Sequence, residues 1–270
     1  MPSPLQPFQL VIDKAIQVCQ QDPEAIGLAA GGSWISGEID AFSDLDLVLV
    51  TSRQIAPDIS HMRDYASRFG PLLASFRGDH VGEPRLLIAL YELPLLHVDI
   101  KFLTPVEFYE RVENPVVLWE RDQLLTTIIQ QSTAQYPPVD FQATEDRFWI
   151  WMHYAALKVG RGEFFEAIDF LAFVRNAVLG PLLHLKNGGL PRGVRRAETA
   201  FDAVDLARLR KTVAMPDRDA LLLSLAEAMN LYEELRDALA PASLGKNRAA
   251  QLAVTRYLDT IQQSAVAMIT

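Results

Sequence analysis

Two carboxylates stand one residue apart in Asp44-Leu45-Asp46, at the head of the apolar run 45–50. A run of that length and make-up reads as a strand. Side chains alternate faces along a strand, so Asp44 and Asp46 share one face and Leu45, Leu47 and Leu49 the other. About ten residues earlier the chain passes through Gly31-Gly32-Ser33, a small-residue turn able to present backbone N–H groups. Paired acids beside such a turn suit a magnesium ion and the phosphates of a nucleoside triphosphate. A third carboxylate is needed to hold metal or to take a proton from an attacking hydroxyl. Asp99 is the candidate. In Leu96-His97-Val98-Asp99-Ile100-Lys101-Phe102 the polar residues alternate with apolar ones, placing His97, Asp99 and Lys101 on one face. If this strand lies beside the first, three carboxylates converge, and their repulsion calls for a cation. His97 reads as a wall residue rather than a metal ligand, because nothing nearby completes a zinc set. Lys101 reads either as a phosphate contact or as a solvated charge at a strand end.

The elements that must position these residues follow from hydrophobic period and punctuation. Segment 5–21 has apolar residues at helical spacing and ends at Asp22-Pro23. Strands are expected at 25–30, 44–51, 85–93 and 96–103, the last two as an antiparallel pair about Leu93-Pro94, with a shorter one at 116–119. Segment 60–76 reads as a second helix and 78–84 as a loop. Thr104-Pro105 with Glu107 marks a helix start. At Tyr136-Pro137-Pro138-Val139-Asp140 the texture changes, and helices are expected at 144–160, 163–186, 202–214, 217–239 and 248–268. The expected class is α+β: a mixed sheet with flanking helices over 1–140, then an all-α bundle over 141–270.

Bulk properties narrow the chemistry. The chain has 270 residues, half of them hydrophobic, enough for a sizeable core in one or two domains. A net charge of −9 argues against a nucleic-acid partner and favours a cationic co-substrate. The single cysteine, Cys19, excludes an internal disulfide and fits a reducing, cytoplasmic setting. Residues 1–7 lack a basic segment before an apolar core, so no signal peptide is expected. No run reaches the roughly 18 apolar residues of a membrane span, so no membrane partner is expected. The apolar face of 248–268 (Leu252, Val254, Tyr257, Leu258, Ile261) suits internal packing and a dimer contact equally, leaving the oligomeric state open.

Gly32-Ser33, then Asp44-Leu45-Asp46, then a distant Asp on a later strand resembles the nucleotidyltransferase superfamily that includes DNA polymerase beta. An α+β domain followed by a helical bundle looks most like its small-molecule branch, the aminoglycoside and lincosamide nucleotidyltransferases. The motif carries the likeness over the first half; helical texture alone carries it over the second. The resemblance implies Gly32 and Ser33 at the triphosphate, Asp44 and Asp46 on Mg²⁺, and Asp99 as the third metal-binding and proton-accepting carboxylate. The double glycine leaves open which amide faces the phosphate. The implied reaction is in-line attack by an acceptor hydroxyl on the α-phosphorus of ATP, with AMP transferred to a small molecule such as an aminoglycoside-like antibiotic. The chain lacks the G-x-x-x-x-G-K-[ST] loop and the H-R-D and D-F-G motifs of kinases.

A second cluster falls in the helical half. Trp151, Tyr154 and Lys158 share a helix face, and Glu166 and Asp169 lie three apart on the next helix. The aromatics read first as core, and the charges as a solvated face. The resemblance adds a role for Lys158 at the nucleotide, and the two acids could meet a cationic acceptor. Two rivals stay open: a minimal nucleotidyltransferase of the toxin–antitoxin kind acting on protein or RNA, and a catalytically silent nucleotide-binding regulator.

Overall fold

The computed structural model describes residues 5–92 and 95–267. The chain divides into two compact units, Met1–Pro137 and Pro138–Thr270. The expected turn at Leu93-Pro94, residues 1–4 and the end of the last helix lie outside the described residues.

The N-terminal unit is a six-stranded sheet in the order β3-β4-β5-β2-β1-β6. Its strands are β1 (Ala25–Ala30), β2 (Leu45–Thr51), β3 (Leu72–Gly78), β4 (Glu83–Tyr91), β5 (Leu96–Leu103) and β6 (Val116–Glu120). Among the described residues only β2 and β5 pair in parallel. One sheet face takes the alternating set Leu45, Leu47 and Leu49 of β2, each no more than 1% exposed. Full burial of such a side chain contributes about 2 kcal/mol. Against that face pack α1 (Gln6–Gln21), through its 3.6-period stripe Phe8, Val11, Ile12, Ala15 and Cys19, and α3 (Ile59–Ser67), through Met62, Tyr65 and Ala66. Burial pushes the Cys19 thiol up to about 12, so this cysteine is an inert core group. On the other face α4 (Pro105–Phe108) and α5 (Leu124–Gln131) cover β1 and β2 through Phe108, Leu125 and Ile128. Thr104 and Glu107 close α4 as a reciprocal capping box.

The expected helix 60–76 is corrected. The helix stops at Ser67, and 72–78 is the edge strand β3. Gly70-Pro71 is the reason: proline disfavours helical geometry in the residue before it and removes a donor. The following residues then ladder onto β4. The expected loop 78–84 contains a 3₁₀ turn (Asp79–Val81) and the start of β4. The helix α5 carries no strong start signal in the sequence.

Lys101 is engaged within the sheet. Its Nζ lies 2.7 Å from Glu83 Oε2, while Arg85 donates to the same carboxylate from Nε at 2.7 Å and Nη2 at 2.8 Å. Burial alone would raise the Glu83 pKa from its ordinary 4.5, but these hydrogen bonds outweigh it and hold the group at about 2. A depressed carboxylate stabilises the folded state above its unfolded pKa, and that stability is lost as pH falls from about 4.5 toward 2. In Glu83→Gln the stability difference between neutral pH and pH ~3 is expected to shrink by about 1–2 kcal/mol. Urea unfolding of both proteins at both pH values checks this; an unchanged difference removes Glu83 from the acid response.

The helical unit holds α6 (Phe141–Gly160), α7 (Phe164–Val174), α8 (Gly180–Lys186), the short α9 (Ala197–Ala200), α10 (Ala203–Lys211), α11 (Arg218–Leu239) and α12 (Arg248–Ala267). The Asp140 side chain caps α6 by accepting from the Ala143 amide at 2.9 Å. The expected single helix 163–186 is interrupted by a π-helical turn, Arg175–Leu179. Pro181 supplies no N–H there, and a Cβ on Gly180 would lie 2.2 Å from the Gly193 carbonyl oxygen. The stretch Phe164–Lys186 is long and apolar enough to cross a membrane, with mean hydropathy 1.4 over its most apolar window. Half of that window is buried, with Ala167, Leu171, Val174 and Leu182 in the core of the unit. Val254, Leu258 and Ile261 of α12 pack into the same core.

Candidate active site

β1 is apolar along its whole length, with small residues at its end, and delivers the chain to the Gly31-Gly32 turn. The Gly31 amide donates to the Asp46 carbonyl at 2.9 Å, which ties the turn to β2. Gly32 has φ +57°, a conformation that glycine adopts without strain. A Cβ on Gly32 would come within 1.9 Å of Asp46 Oδ2, so the Asp46 carboxylate lies directly against this backbone. Gly32→Ala is therefore expected to lose about 1–2 kcal/mol and to dislodge the carboxylate. A thermal melt identical to that of the parent protein would contradict this close approach. Ser33 is buried and opens the four-residue helix α2 (Ser33–Ser36).

The register of the sheet brings the distant acids together. Asp46 of β2 pairs directly with Asp99 of β5. Neighbours in register point to the same face of a sheet, with the strands about 4.8 Å apart. Asp44 lies just before β2, half-buried. Burial is the main cause of a raised Asp99 pKa; the His97 hydrogen bond opposes it, and the charge of Asp44 adds to it. A His97 ring nitrogen lies 2.8 Å from Asp99 Oδ1. His97 is thus a partner of the third carboxylate. The donor set of three carboxylates offers the hard oxygens that Mg²⁺ prefers. Among the described residues, no group of three or more His, Cys, Asp and Glu side chains is already arranged to hold a metal ion.

Three features of this corner have no sequence signal. First, Glu113 reaches back from the segment before β6, and its Oε1 accepts from the Gly32 amide at 3.0 Å. An anionic oxygen therefore already occupies one donor of the Gly31-Gly32-Ser33 turn. The contact spans 81 residues of sequence, which is why local pattern could not reveal it. Second, the row Asp46–Asp99 continues in register through Ile88 of β4 to Phe76 of β3. Phe76 is 53% and Leu90 38% exposed, so beyond Asp99 this face is apolar and open. Third, His80 stands beside Phe76, with ring centroids 5.5 Å apart, and acts on Asp99 electrostatically.

Gly32, Ser33, Asp44, Asp46 and Asp99 thus meet in one corner of the N-terminal unit. Lys158 lies on α6 of the helical unit. Its Nζ is 2.8 Å from Glu163 Oε2 and 3.0 Å from Glu166 Oε1, and these partners raise its pKa.

A mixed sheet bearing in-register aspartates beside a glycine turn, followed by a helical unit, defines the architecture. No family model and no curated protein matches the sequence. Among solved structures, the chain is similar to an aminoglycoside 6-adenyltransferase from Bacillus subtilis. That likeness has 16% identity and a TM-score of 0.41, over 97% of this chain and 99% of that one. It is also similar to a nucleotidyltransferase-like protein from Exiguobacterium sibiricum, at 14% identity and a TM-score of 0.39, over 85% of this chain and 74% of that one. Neither likeness is close enough to carry an activity across.

Proposed function

We propose that the protein is a Mg²⁺-dependent nucleotidyltransferase that moves AMP from ATP to a hydroxyl of a small molecule. The observation that carries this reading is the register of Asp46 and Asp99, with Gly32 pressed against the Asp46 carboxylate. Asp44, Asp46 and Asp99 would hold the magnesium ion, which neutralises charge on the triphosphate and the leaving pyrophosphate. The Gly32 amide and Ser33 receive phosphate oxygens, with Glu113 displaced from the amide it now holds. Asp99, oriented by His97, accepts the proton of the acceptor hydroxyl. The acceptor oxygen then bonds to the α-phosphorus as the bond to the β-phosphate oxygen breaks. Catalysis is positioning plus charge neutralisation.

The acceptor approaches from the β4 side, where Asp99 borders Ile88 and Phe76. A ring with an apolar face and a rim of hydroxyls and amines fits that boundary, and an aminoglycoside-like amino sugar is the leading class. The acidic corner and the net charge of −9 favour a cationic acceptor over RNA. Acceptor recognition by the helical unit, and a nucleotide role for Lys158, rest on resemblance. With its ammonium held by Glu163 and Glu166, Lys158 does not enter the steps above. ATP as donor and a single buried thiol fit a cytoplasmic protein.

The test is incubation with labelled ATP, Mg²⁺ and a panel of hydroxylated amines, reading pyrophosphate and labelled product. Release that depends on both Mg²⁺ and acceptor supports the proposal. The second reading, a silent nucleotide-binding regulator, is favoured by one observation: Glu113 occupies the Gly32 amide. Tight Mg·ATP binding with no pyrophosphate from any acceptor would decide for it.

A further inference from the structure

α6 and α7 form a helical pair joined at Arg161-Gly162, and a groove of about 510 Å³ runs along it. Its floor is a continuous chain of ring contacts. Trp151 meets Phe173 edge-on at 5.1 Å, Phe173 meets Phe170 at 5.7 Å, and Phe170 meets Tyr154 at 5.1 Å. Tyr154 and Phe173 are 39% and 45% exposed; the Lys158 ammonium lies 5.0 Å over the Tyr154 ring, which leaves Phe173 as the ring most open to a ligand. Two carboxylates edge this floor, and they differ. Glu166 accepts from the Tyr154 hydroxyl and pairs with Lys158 at 3.0 Å. Asp169 is exposed and makes no hydrogen bond or ion pair with any described residue.

We propose that this groove is a binding site for a small organic cation with an apolar body, such as an aryl-alkyl or quaternary ammonium compound. The aromatic faces attract a desolvated cation through their quadrupoles. Asp169 supplies the unpaired charge, and the rings cover the apolar body. An anion would meet the Asp169 carboxylate, beside a Lys158 ammonium already held by Glu163 and Glu166. A neutral apolar ligand would strip water from Asp169 without replacing it. A second copy docking by two-fold symmetry would set one acidic edge against another. The site stands apart from the transfer reading, and its test needs no nucleotide.

The full chain is titrated with benzyltrimethylammonium chloride at constant ionic strength, by calorimetry and by tryptophan fluorescence, with benzyl alcohol as the neutral comparison. Saturable binding is expected, with Kd on the order of 0.1–1 mM. Asp169→Asn and Phe173→Ala are each expected to weaken it about tenfold while helical content by circular dichroism stays unchanged. Trp151→Phe, which keeps a ring in the floor, is expected to remove the fluorescence change and to weaken calorimetric binding less than Phe173→Ala does. Any of three results overturns the proposal: no saturation by about 10 mM, equal affinity for benzyl alcohol, or unchanged affinity in Asp169→Asn. Sedimentation showing a dimer that Phe173→Asp dissolves would also overturn it, by giving the groove to a second copy.

Discussion

Asp46→Asn is expected to cut nucleotidyl transfer about 10³-fold, a loss of about 4 kcal/mol of transition-state stabilisation. Asparagine keeps the volume that lies against Gly32 and leaves the Gly31 amide bond to the residue 46 carbonyl intact. What it removes is the negative charge in the middle of the set, between the glycine turn and Asp99. The fold should hold or gain slightly, since a like charge near Asp44 and Asp99 is gone. Two measurements check this. Pyrophosphate release with the acceptor panel should fall to background. In the parent protein ATP affinity should drop when EDTA removes Mg²⁺, and in Asp46→Asn that drop should vanish. Transfer above about a tenth of the parent rate, or an unchanged response to EDTA, would remove Asp46 from the metal set.

The second large effect is on stability, and it lies in the helical unit. Glu145 of α6 is fully buried. It accepts from the Tyr232 hydroxyl at 2.7 Å, the Asn247 amide at 2.8 Å and the Trp149 indole at 3.1 Å, with Arg236 Nη1 at 3.3 Å. Burial works to raise its pKa, but the hydrogen bonds win and keep the carboxylate charged. Arg236 is itself 1% exposed and shares its charge between two carboxylates, Glu145 on Nη1 and Asp237, whose Oδ1 accepts from Nε at 2.8 Å, while its Nη2 has no hydrogen-bond partner. Glu145→Ala should cost about 3–5 kcal/mol, because it takes the one fully buried carboxylate from a buried guanidinium, leaving it the more exposed Asp237, and unpairs three further donors. Adding Arg236→Met should recover part of the loss by removing a buried charge that Asp237 alone compensates only from one edge. Chemical unfolding of the two variants checks both statements. A double variant no more stable than Glu145→Ala would show that lost packing and unpaired donors, rather than the buried Arg236 charge, set the cost.

Much of the N-terminal unit was legible because its signals are local. Leu45, Leu47 and Leu49 alternate with polar or half-buried neighbours, and period two specifies both a strand and its inward face. Thr104-Pro105 and Glu107 announced α4, since a capping box is complete within four residues. The failures came where a local signal was overridden or absent. Leu72, Leu73 and Phe76 continue a helical spacing across Gly70-Pro71, but pairing with β4 takes them into the sheet. Lys101 reads as an open charge along the chain and turns out to be held by Glu83, which lies on another strand.

The candidate site divides in the same way. The sequence by itself determined which chemistry was available: Gly31-Gly32-Ser33, Asp44 and Asp46, and an alternating strand that puts Asp99 and His97 on one face. Residue type and period two suffice for that, because both act between near neighbours. Only the tertiary structure decided that β5 lies parallel to β2 with Asp99 level with Asp46. It alone placed Glu113 on the Gly32 amide, continued the row to Ile88 and Phe76, and left Asp169 beside an aromatic groove with no partner among the described residues. Strand order, register and long-range hydrogen bonds come from burying many side chains at once, and no short stretch of sequence contains that sum.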